Sequence, residues 1–435
     1  MKIGFAHVTS EHSWNWWPNL AFGSLKAYLH KHLGDVVVME RADPNLLETY
    51  DIFGISCLSQ DYNAAKALAS KVKRANSNVI VIIGGTHATW LPGTLTKDFD
   101  FAVIGEGEQT FLEFVKYVMN GRREEDLFRI SGLVFWRGNG LLASPPRELI
   151  SPLDEIPPPV RDNPGENVYH LFTSRGCPYN CTFCSSTAFW KKIRYHSADY
   201  VISEIDRCVK MGAKHIPIMD DLFVADKKRL AEVVEKLEKS RLHESFDFTF
   251  AVQVRANLVN DELCRLLNRL GISVVYFGAE SASDRILNLM GKNLSASRNQ
   301  EAIDILNKNR LPVEPCYIVG FPSETAEEMK KTLNFIYSNG IAKKANIFSP
   351  VQVLTPFPGT KIWNDAVNHG KIDIANFNWD SLGIMTPNMT NIEAFNNWVE
   401  VHRNSGIYIN EESLPREEMY SILKKHVYAV NGKNL

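Results

Sequence analysis

Three cysteines fall within eight residues, in the run Thr173-Ser-Arg-Gly-Cys177-Pro-Tyr-Asn-Cys181-Thr-Phe-Cys184, at the spacing C-x3-C-x2-C. Thiolates are ligands for soft metals, and iron–sulfur clusters are held by cysteine. Three ligands on one loop would leave one iron of a four-iron cube without a protein thiolate. Such an open position lets a substrate or cofactor bind the metal directly, as at catalytic zinc sites. The bland readings are a structural zinc and a chance run. Structural zinc takes four ligands in paired knuckles. No C-x-x-C partner exists here, and neither His170 nor His196 has knuckle spacing. The other cysteines, Cys57, Cys208, Cys264 and Cys316, are dispersed along a chain of 435 residues, so a small disulfide scaffold is excluded and a reduced compartment is expected.

A loop can present three thiols only if the elements around it fix its ends. Residues 1–145 alternate short apolar runs with helical patterns, the signature of a parallel sheet covered by helices. Strands are expected at Lys2–Val8, Val36–Met39, Ile52–Leu58, Val79–Gly85 and Phe101–Gly105, with a hairpin at Gly132–Arg137 and Gly140–Ser144. A proline-rich stretch, 146–167, reads as a linker. From Val168 to residue 365 the alternation resumes. Strands are expected at Tyr169–Thr173, Ile216–Met219, Phe248–Val254, Val274–Gly278, Pro315–Gly320 and Ile347–Val353. Six β/α units predict a partial (β/α)6 barrel, and a polar, mostly helical region is expected at 366–435. The fold class is therefore α/β: a doubly wound, Rossmann-like domain, then the partial barrel. In parallel folds function gathers at the C-terminal strand ends. Cys177, Asp220, Asp221, Arg255, Glu280 and Gly320 all sit at or after the C-terminal ends of expected strands.

Lys+Arg is 48 and Asp+Glu is 50, giving a net charge of −2. Scattered charge near neutrality gives no footprint for nucleic acid. No run of about 18 apolar residues predicts a membrane span, and MKIGFAHV lacks the features of a signal peptide. A cytoplasmic location is expected.

The C-x3-C-x2-C loop after a first barrel strand, with Phe183 before the third cysteine, resembles the radical S-adenosylmethionine (SAM) superfamily. Over about residues 1–365 the chain looks like the subgroup with an N-terminal cobalamin-binding domain. The resemblance implies that Cys177, Cys181 and Cys184 hold a [4Fe–4S] cluster whose fourth iron is chelated by SAM. It implies backbone contacts to the adenine at Phe183, Gly320 and Phe321. It places Asp220 and Asp221 at the SAM amino end, and Arg255 and Glu280 toward its carboxylate and ribose. Most members carry a Gly-Gly-Glu-like run where this chain has Met219-Asp220-Asp221. Asp221 reads equally as a helix cap, and Arg255 as an ion-pair partner at the barrel rim.

Three runs follow strands in the first domain: Gly54-Ile-Ser56-Cys-Leu-Ser59, Gly84-Gly85-Thr86-His87 and Gly105-Glu106-Gly107-Glu108. Glycine lets backbone approach a bulky ligand or another backbone, and Ser and Thr can hydrogen-bond corrin amides. They look like the subgroup's cobalamin site; the bland reading is a doubly wound domain with tight turns. The D-x-H-x-x-G loop that puts His on cobalt is absent, so a lower face without a His ligand is expected. Trp14, Trp16 and Trp17 read as a cleft lining or as packing, as do Trp190 and Phe357 at the barrel mouth.

The family resemblance implies a methyltransferase acting on an unactivated carbon or phosphorus of a small molecule, fed by an external one-electron reductant of flavodoxin or ferredoxin type. The alternatives are a radical oxidation or cyclisation with the same cofactors, and a non-catalytic cobalamin or redox sensor.

Overall fold

The computed structural model describes residues 1–10, 20–43, 45–190, 192–339 and 350–432. Trp14, Trp16 and Trp17 lie outside them, as do residues 347–349 of the last expected strand. The chain divides into two compact units, Met1–Asn163 with Asp373–Gly383, and Pro164–Ile372 with Ile384–Leu435.

The first unit is built on a seven-stranded sheet. Its strands are β1 (Lys2–His7), β2 (Val38–Arg41), β3 (Ile52–Ser56), β4 (Ile80–Gly84), β5 (Phe101–Val103), β6 (Leu133–Arg137) and β7 (Gly140–Ala143), in the order β2-β1-β3-β4-β5-β6-β7. The pairs from β2 to β5 are parallel, and the β6–β7 hairpin is antiparallel. Ile52, Phe53, Ile55, Val81 and Ile83 are buried, as strands covered on both faces require. Helices Leu20–Leu33 and Gly107–Met119 supply Tyr28, Leu29, Phe111 and Phe114 to a core with Ile3, Ile52 and Ile82. Helix Tyr62–Ala75 buries Ala65, Ala69 and Val72.

The proline-rich stretch is not a free linker. Its prolines disfavour α-helix and central strand, and it holds only a short 3-10 turn at Leu153–Glu155, but its apolar residues Ile150, Leu153 and Ile156 are buried together. The Val160 amide donates to the Gly23 carbonyl at 3.0 Å, and Lys31 Nζ donates to the Glu155 carbonyl at 2.7 Å. Residues up to Asn163 therefore belong to the first unit.

The second unit holds five parallel strands in sequence order: β10 (His215–Pro217), β11 (Thr249–Val254), β12 (Ile272–Glu280), β13 (Val313–Val319) and β14 (Val351–Val353). A sixth extended stretch bridges the open edge of β10 in parallel, at Val168–His215 and Leu171–Ile218. It carries the expected first barrel strand in looser form. Between it and β10, the short strands β8 (Ser174–Arg175) and β9 (Arg194–Tyr195) pair antiparallel across the cysteine loop. The strands alternate. On β13, Pro315, Tyr317 and Val319 are buried while Glu314, Cys316 and Ile318 keep partial exposure. The first set faces the helices and the second the barrel interior.

The 366–435 region is not one body. Helices Ile392–Ser405 and Arg416–Val430 put Phe395, Trp398, Leu423 and Val427 into the core shared with Met329 and Leu333 of the second unit. Asp373–Gly383 folds with the first unit. Among the described residues no helix is long and apolar enough to cross a membrane.

Candidate functional site: a three-thiol loop and a glycine-lined sheet edge

The cysteine loop is held at its root by a buried carboxylate. Asp220, 1% exposed, follows β10. Its Oδ1 accepts from the amides of Thr173 and Ser174 at 2.6 and 3.1 Å. Its Oδ2 accepts from the hydroxyls of the same residues at 2.5 and 2.7 Å. A carboxylate offers about four lone-pair sites, and all four are taken. Burial pushes its ionisation upward, and the Thr173 and Ser174 bonds hold it down. Arg229 grips the other side, donating to the carbonyls of Thr173 at 2.8 Å and His196 at 3.1 Å. Asp221 accepts from the Gly176 amide at 3.0 Å, and burial raises its carboxyl. Both acids thus bind the loop's backbone, and Asp220 has no acceptor position open for a SAM ammonium.

Past Cys177 the loop is bracketed by three other segments. Tyr179 lies under the Arg255 guanidinium, with Cζ 3.8 Å from the ring centre, and its hydroxyl accepts from Asn257 at 2.9 Å. Arg255 Nη1 is 3.5 Å from Cys181 Sγ. The Thr182 amide donates to the Met290 carbonyl at 3.0 Å, and the Ile362 amide to the Thr182 carbonyl at 3.2 Å. Arg255, just after β11, therefore packs against the cysteine loop.

Cys177, Cys181 and Cys184 are half-buried free thiols. Burial raises the Cys177 thiol, with smaller contributions from Cys184, Asp221 and Cys181. Among the described residues no three His, Cys, Asp or Glu side chains meet as ligands of a single metal ion. His196 is stacked on Tyr200 with ring centres 3.7 Å apart. The donor set is three soft thiols on one braced loop, which fits a cluster with one open iron better than a closed zinc site.

Beyond the loop, Glu280 ends β12 at φ 64°, a left-handed backbone. Its carboxylate accepts from Lys292 Nζ at 3.0 Å, and both side chains are almost fully buried. It folds back over Gly278, where a Cβ would stand 1.9 Å from Glu280 Oε1. A larger residue there would displace the Glu280 carboxylate. Gly320 follows β13, and its amide donates to Glu324. Glu324 is fully buried, and burial pushes its carboxyl up to about 8 against the backbone bonds from Gly320 and Phe321. Asn410 fastens this turn, accepting from the Ser323 amide at 2.8 Å and donating to the Glu324 carbonyl at 2.9 Å. Gly320 and Phe321 are buried, with their amides turned to Glu324, and Phe183 is half-buried.

In the first unit the glycine runs converge at the C-terminal ends of β3, β4 and β5. Gly85 has φ 101°, and a Cβ there would stand 2.5 Å from the Cys57 carbonyl oxygen. Its role is a close approach between the β3 and β4 turns, closed by Cys57 amide to Gly84 carbonyl at 2.9 Å. Gly84 has no such neighbour. Ser56 ends β3, and Thr86 starts the short helix Thr86–Trp90. His87 is fully buried. Its Nδ1 is 3.3 Å from Ser59 Oγ and its Nε2 2.9 Å from Thr94 Oγ1. Tyr62 stacks on it at 3.8 Å, and Trp379 meets it edge-on at 4.8 Å. Burial lowers its ring to about 3, so it is a neutral, doubly hydrogen-bonded wedge. Glu106, the residue before helix Gly107–Met119, accepts from the Ile150 amide at 2.8 Å and anchors the proline-rich stretch. A Cβ added at Gly107 would stand 3.4 Å from Leu25 Cδ2.

Sequence reasoning did not single out Lys292, Arg229, Tyr179, Glu324 or Trp379. Glu324 was within reach, four residues after Gly320 in one turn. The others act on partners remote in sequence.

A profile of the radical SAM superfamily matches residues 171–336, and one of the B12 binding domain matches residues 16–115. An uncharacterized methyltransferase of Pyrococcus horikoshii is 33% identical over 366 residues, covering 81% of this chain and 75% of that protein. The anaerobic magnesium-protoporphyrin IX monomethyl ester cyclase of Rubrivivax gelatinosus is 26% identical over 422 residues, covering 89% of this chain and 73% of that protein. In fold, the chain is similar to the cobalamin-dependent S-adenosylmethionine radical enzyme OxsB. The TM-score is 0.70 at 16% identity, over 99% of this chain and 72% of that one. The chain belongs to the radical SAM superfamily, in its branch with a B12-binding domain, and is a radical SAM enzyme. Its cofactors are a [4Fe–4S] cluster, S-adenosylmethionine and cobalamin.

Proposed function

We propose that the chain is a cobalamin-dependent methyltransferase acting on an unactivated carbon, or a phosphorus, of a small molecule or biosynthetic intermediate. The observation that carries the reading is the braced three-thiol loop on the same chain as a B12-binding sheet. The 33% identical relative named as a methyltransferase supports it. When bound, the cluster and SAM supply a radical able to take hydrogen from an unactivated C–H bond, and cobalamin supplies a transferable methyl group.

The residues of the chain take distinct parts in this reading. Cys177, Cys181 and Cys184 hold the cluster, while Asp220, Asp221 and Arg229 hold the loop. Glu280 and Lys292 face the polar groups of SAM, an acceptor for ribose hydroxyls and a donor for a carboxylate. The backbone at Phe183, Gly320 and Phe321 lines the adenine. Ser56, Ser59, Gly84, Gly85, Thr86 and Gly107 shape the cobalamin crevice, with His87 and Glu106 supporting it from behind. The electron comes from an external donor of flavodoxin or ferredoxin type. Exclusion of water protects radical chemistry.

A second reading, oxidation or cyclisation without methyl transfer, is favoured by the cyclase relative aligned over 89% of the chain. Anaerobic turnover with reductant, hydroxocobalamin and SAM separates the two. A methyltransferase forms 5′-deoxyadenosine and S-adenosylhomocysteine together, and its product gains one methyl group. 5′-Deoxyadenosine without S-adenosylhomocysteine would favour the second reading. Neither product would refute both.

A further inference from the structure

We propose that Arg255 sets the redox poise of the cluster, acting as a positioning residue on the Cys181 thiolate and not as a SAM-carboxylate ligand. The inference rests on the cluster reading above. The guanidinium is fixed from three directions. Its Nη1 donates to Cys181 Sγ at 3.5 Å. Its plane covers Tyr179, with Cζ 3.8 Å from the ring centre. Its Nη2 donates to the Lys292 carbonyl. The residue is 6% exposed, so little water screens its charge.

Arginine stays protonated at any working pH, and its planar fork suits stacking and donation together. Several other charged groups around the loop have partners of their own, and the Arg175 and Arg194 guanidiniums lie over the Trp190 ring at 5.6 and 5.5 Å. Asp221 accepts from the Gly176 amide. Asp220 accepts from Thr173 and Ser174 beside Arg229. The Lys292 ammonium pairs with Glu280. Arg255 is a charged side chain donating directly to a sulfur of the three-thiol loop.

A one-electron reduction adds a negative charge to the cluster. A fixed cation with an N–H on one ligand sulfur stabilises the reduced form more than the oxidised form. Hydrogen bonds to the sulfurs are among the levers that set cluster potentials. Lys292 adds a second consequence. Its carbonyl holds Arg255 while its ammonium holds Glu280, so the proposed SAM-facing pair and the redox-tuning residue share one backbone segment.

The test is an electron-paramagnetic-resonance redox titration of the anaerobically reconstituted full chain, with iron counted in each sample. Arg255→Gln is expected to keep its iron and become harder to reduce. At a fixed potential the ratio of reduced to oxidised cluster should fall about tenfold, which for one electron is about 59 mV. Arg255→Lys restores the charge without the fork and should recover part of the shift. Full iron with an unchanged midpoint in Arg255→Gln would overturn the proposal. So would loss of the SAM-induced spectral change with the midpoint unmoved, which would return Arg255 to the SAM carboxylate. If Arg255→Gln takes up no iron, Tyr179→Leu carries the test. It removes the ring that holds the guanidinium, a smaller negative shift is expected, and no shift overturns the proposal. Absence of iron in the unmodified chain would instead remove the cluster reading, and this inference with it.

Discussion

Glu324→Gln should gain stability over the unmodified chain progressively as pH rises above about 4.5, most of all in alkali. Glu324 is fully buried behind Gly320, and burial raises its carboxyl from the ordinary 4.5 to about 8. The backbone bonds from Gly320 and Phe321 oppose the shift, Glu328 adds to it slightly, and Arg285 slightly opposes it. Between these two values the folded state holds a proton that the unfolded state releases. Stability from this group is therefore complete below about 4.5 and is lost as pH rises through about 8. The full loss is about 5 kcal/mol, of which about 3 kcal/mol falls between pH 6 and pH 9. Glutamine keeps the shape and an acceptor for the Gly320 amide but cannot ionise. The assay is denaturant unfolding followed by tryptophan fluorescence at several pH values, comparing the variant with the unmodified chain. The difference between them should grow by about 3 kcal/mol in favour of the variant from pH 6 to pH 9. Parallel pH profiles, or a variant that loses ground in alkali, would refute the reasoning.

Asp220→Ala strands the buried amides of Thr173 and Ser174. At about 1–3 kcal/mol for each unsatisfied group the cost is roughly 2–6 kcal/mol, and the expected result is loss of bound iron on reconstitution; full iron retention would contradict the clamp. Gly85→Ala forces a Cβ to within 2.5 Å of the Cys57 carbonyl oxygen at a backbone φ of 101°, so corrin titration should weaken at least about tenfold while iron content holds. His87→Gln should leave the cob(II)alamin spectrum without any change in nitrogen coupling, because both ring nitrogens already face hydroxyls. A nitrogen coupling lost in the variant would make His87 a cobalt ligand.

Local chemistry was the most legible part of the sequence. The C-x3-C-x2-C loop needs only neighbouring residues, and runs such as VIVIIGG declare strands because a parallel sheet buries both their faces. Long-range pairing was not legible. Asp220 reads as a free acid after a strand until Thr173 and Ser174 are found saturating it. Lys292 carries no local mark, yet it neutralises Glu280. The proline-rich stretch announces what its backbone cannot form, while Ile150, Leu153 and Ile156 decide where it packs. Trp379 lies in a polar tail, and only folding brings it against His87 and Tyr62.

The most direct test of the account is a count of iron and corrin per chain after anaerobic reconstitution with iron, sulfide and hydroxocobalamin, repeated on Cys177→Ala. The account predicts about four irons and one corrin in the unmodified chain, and loss of the iron with retention of the corrin in the variant. A chain that takes up no cluster, or a variant that keeps it, would contradict the account.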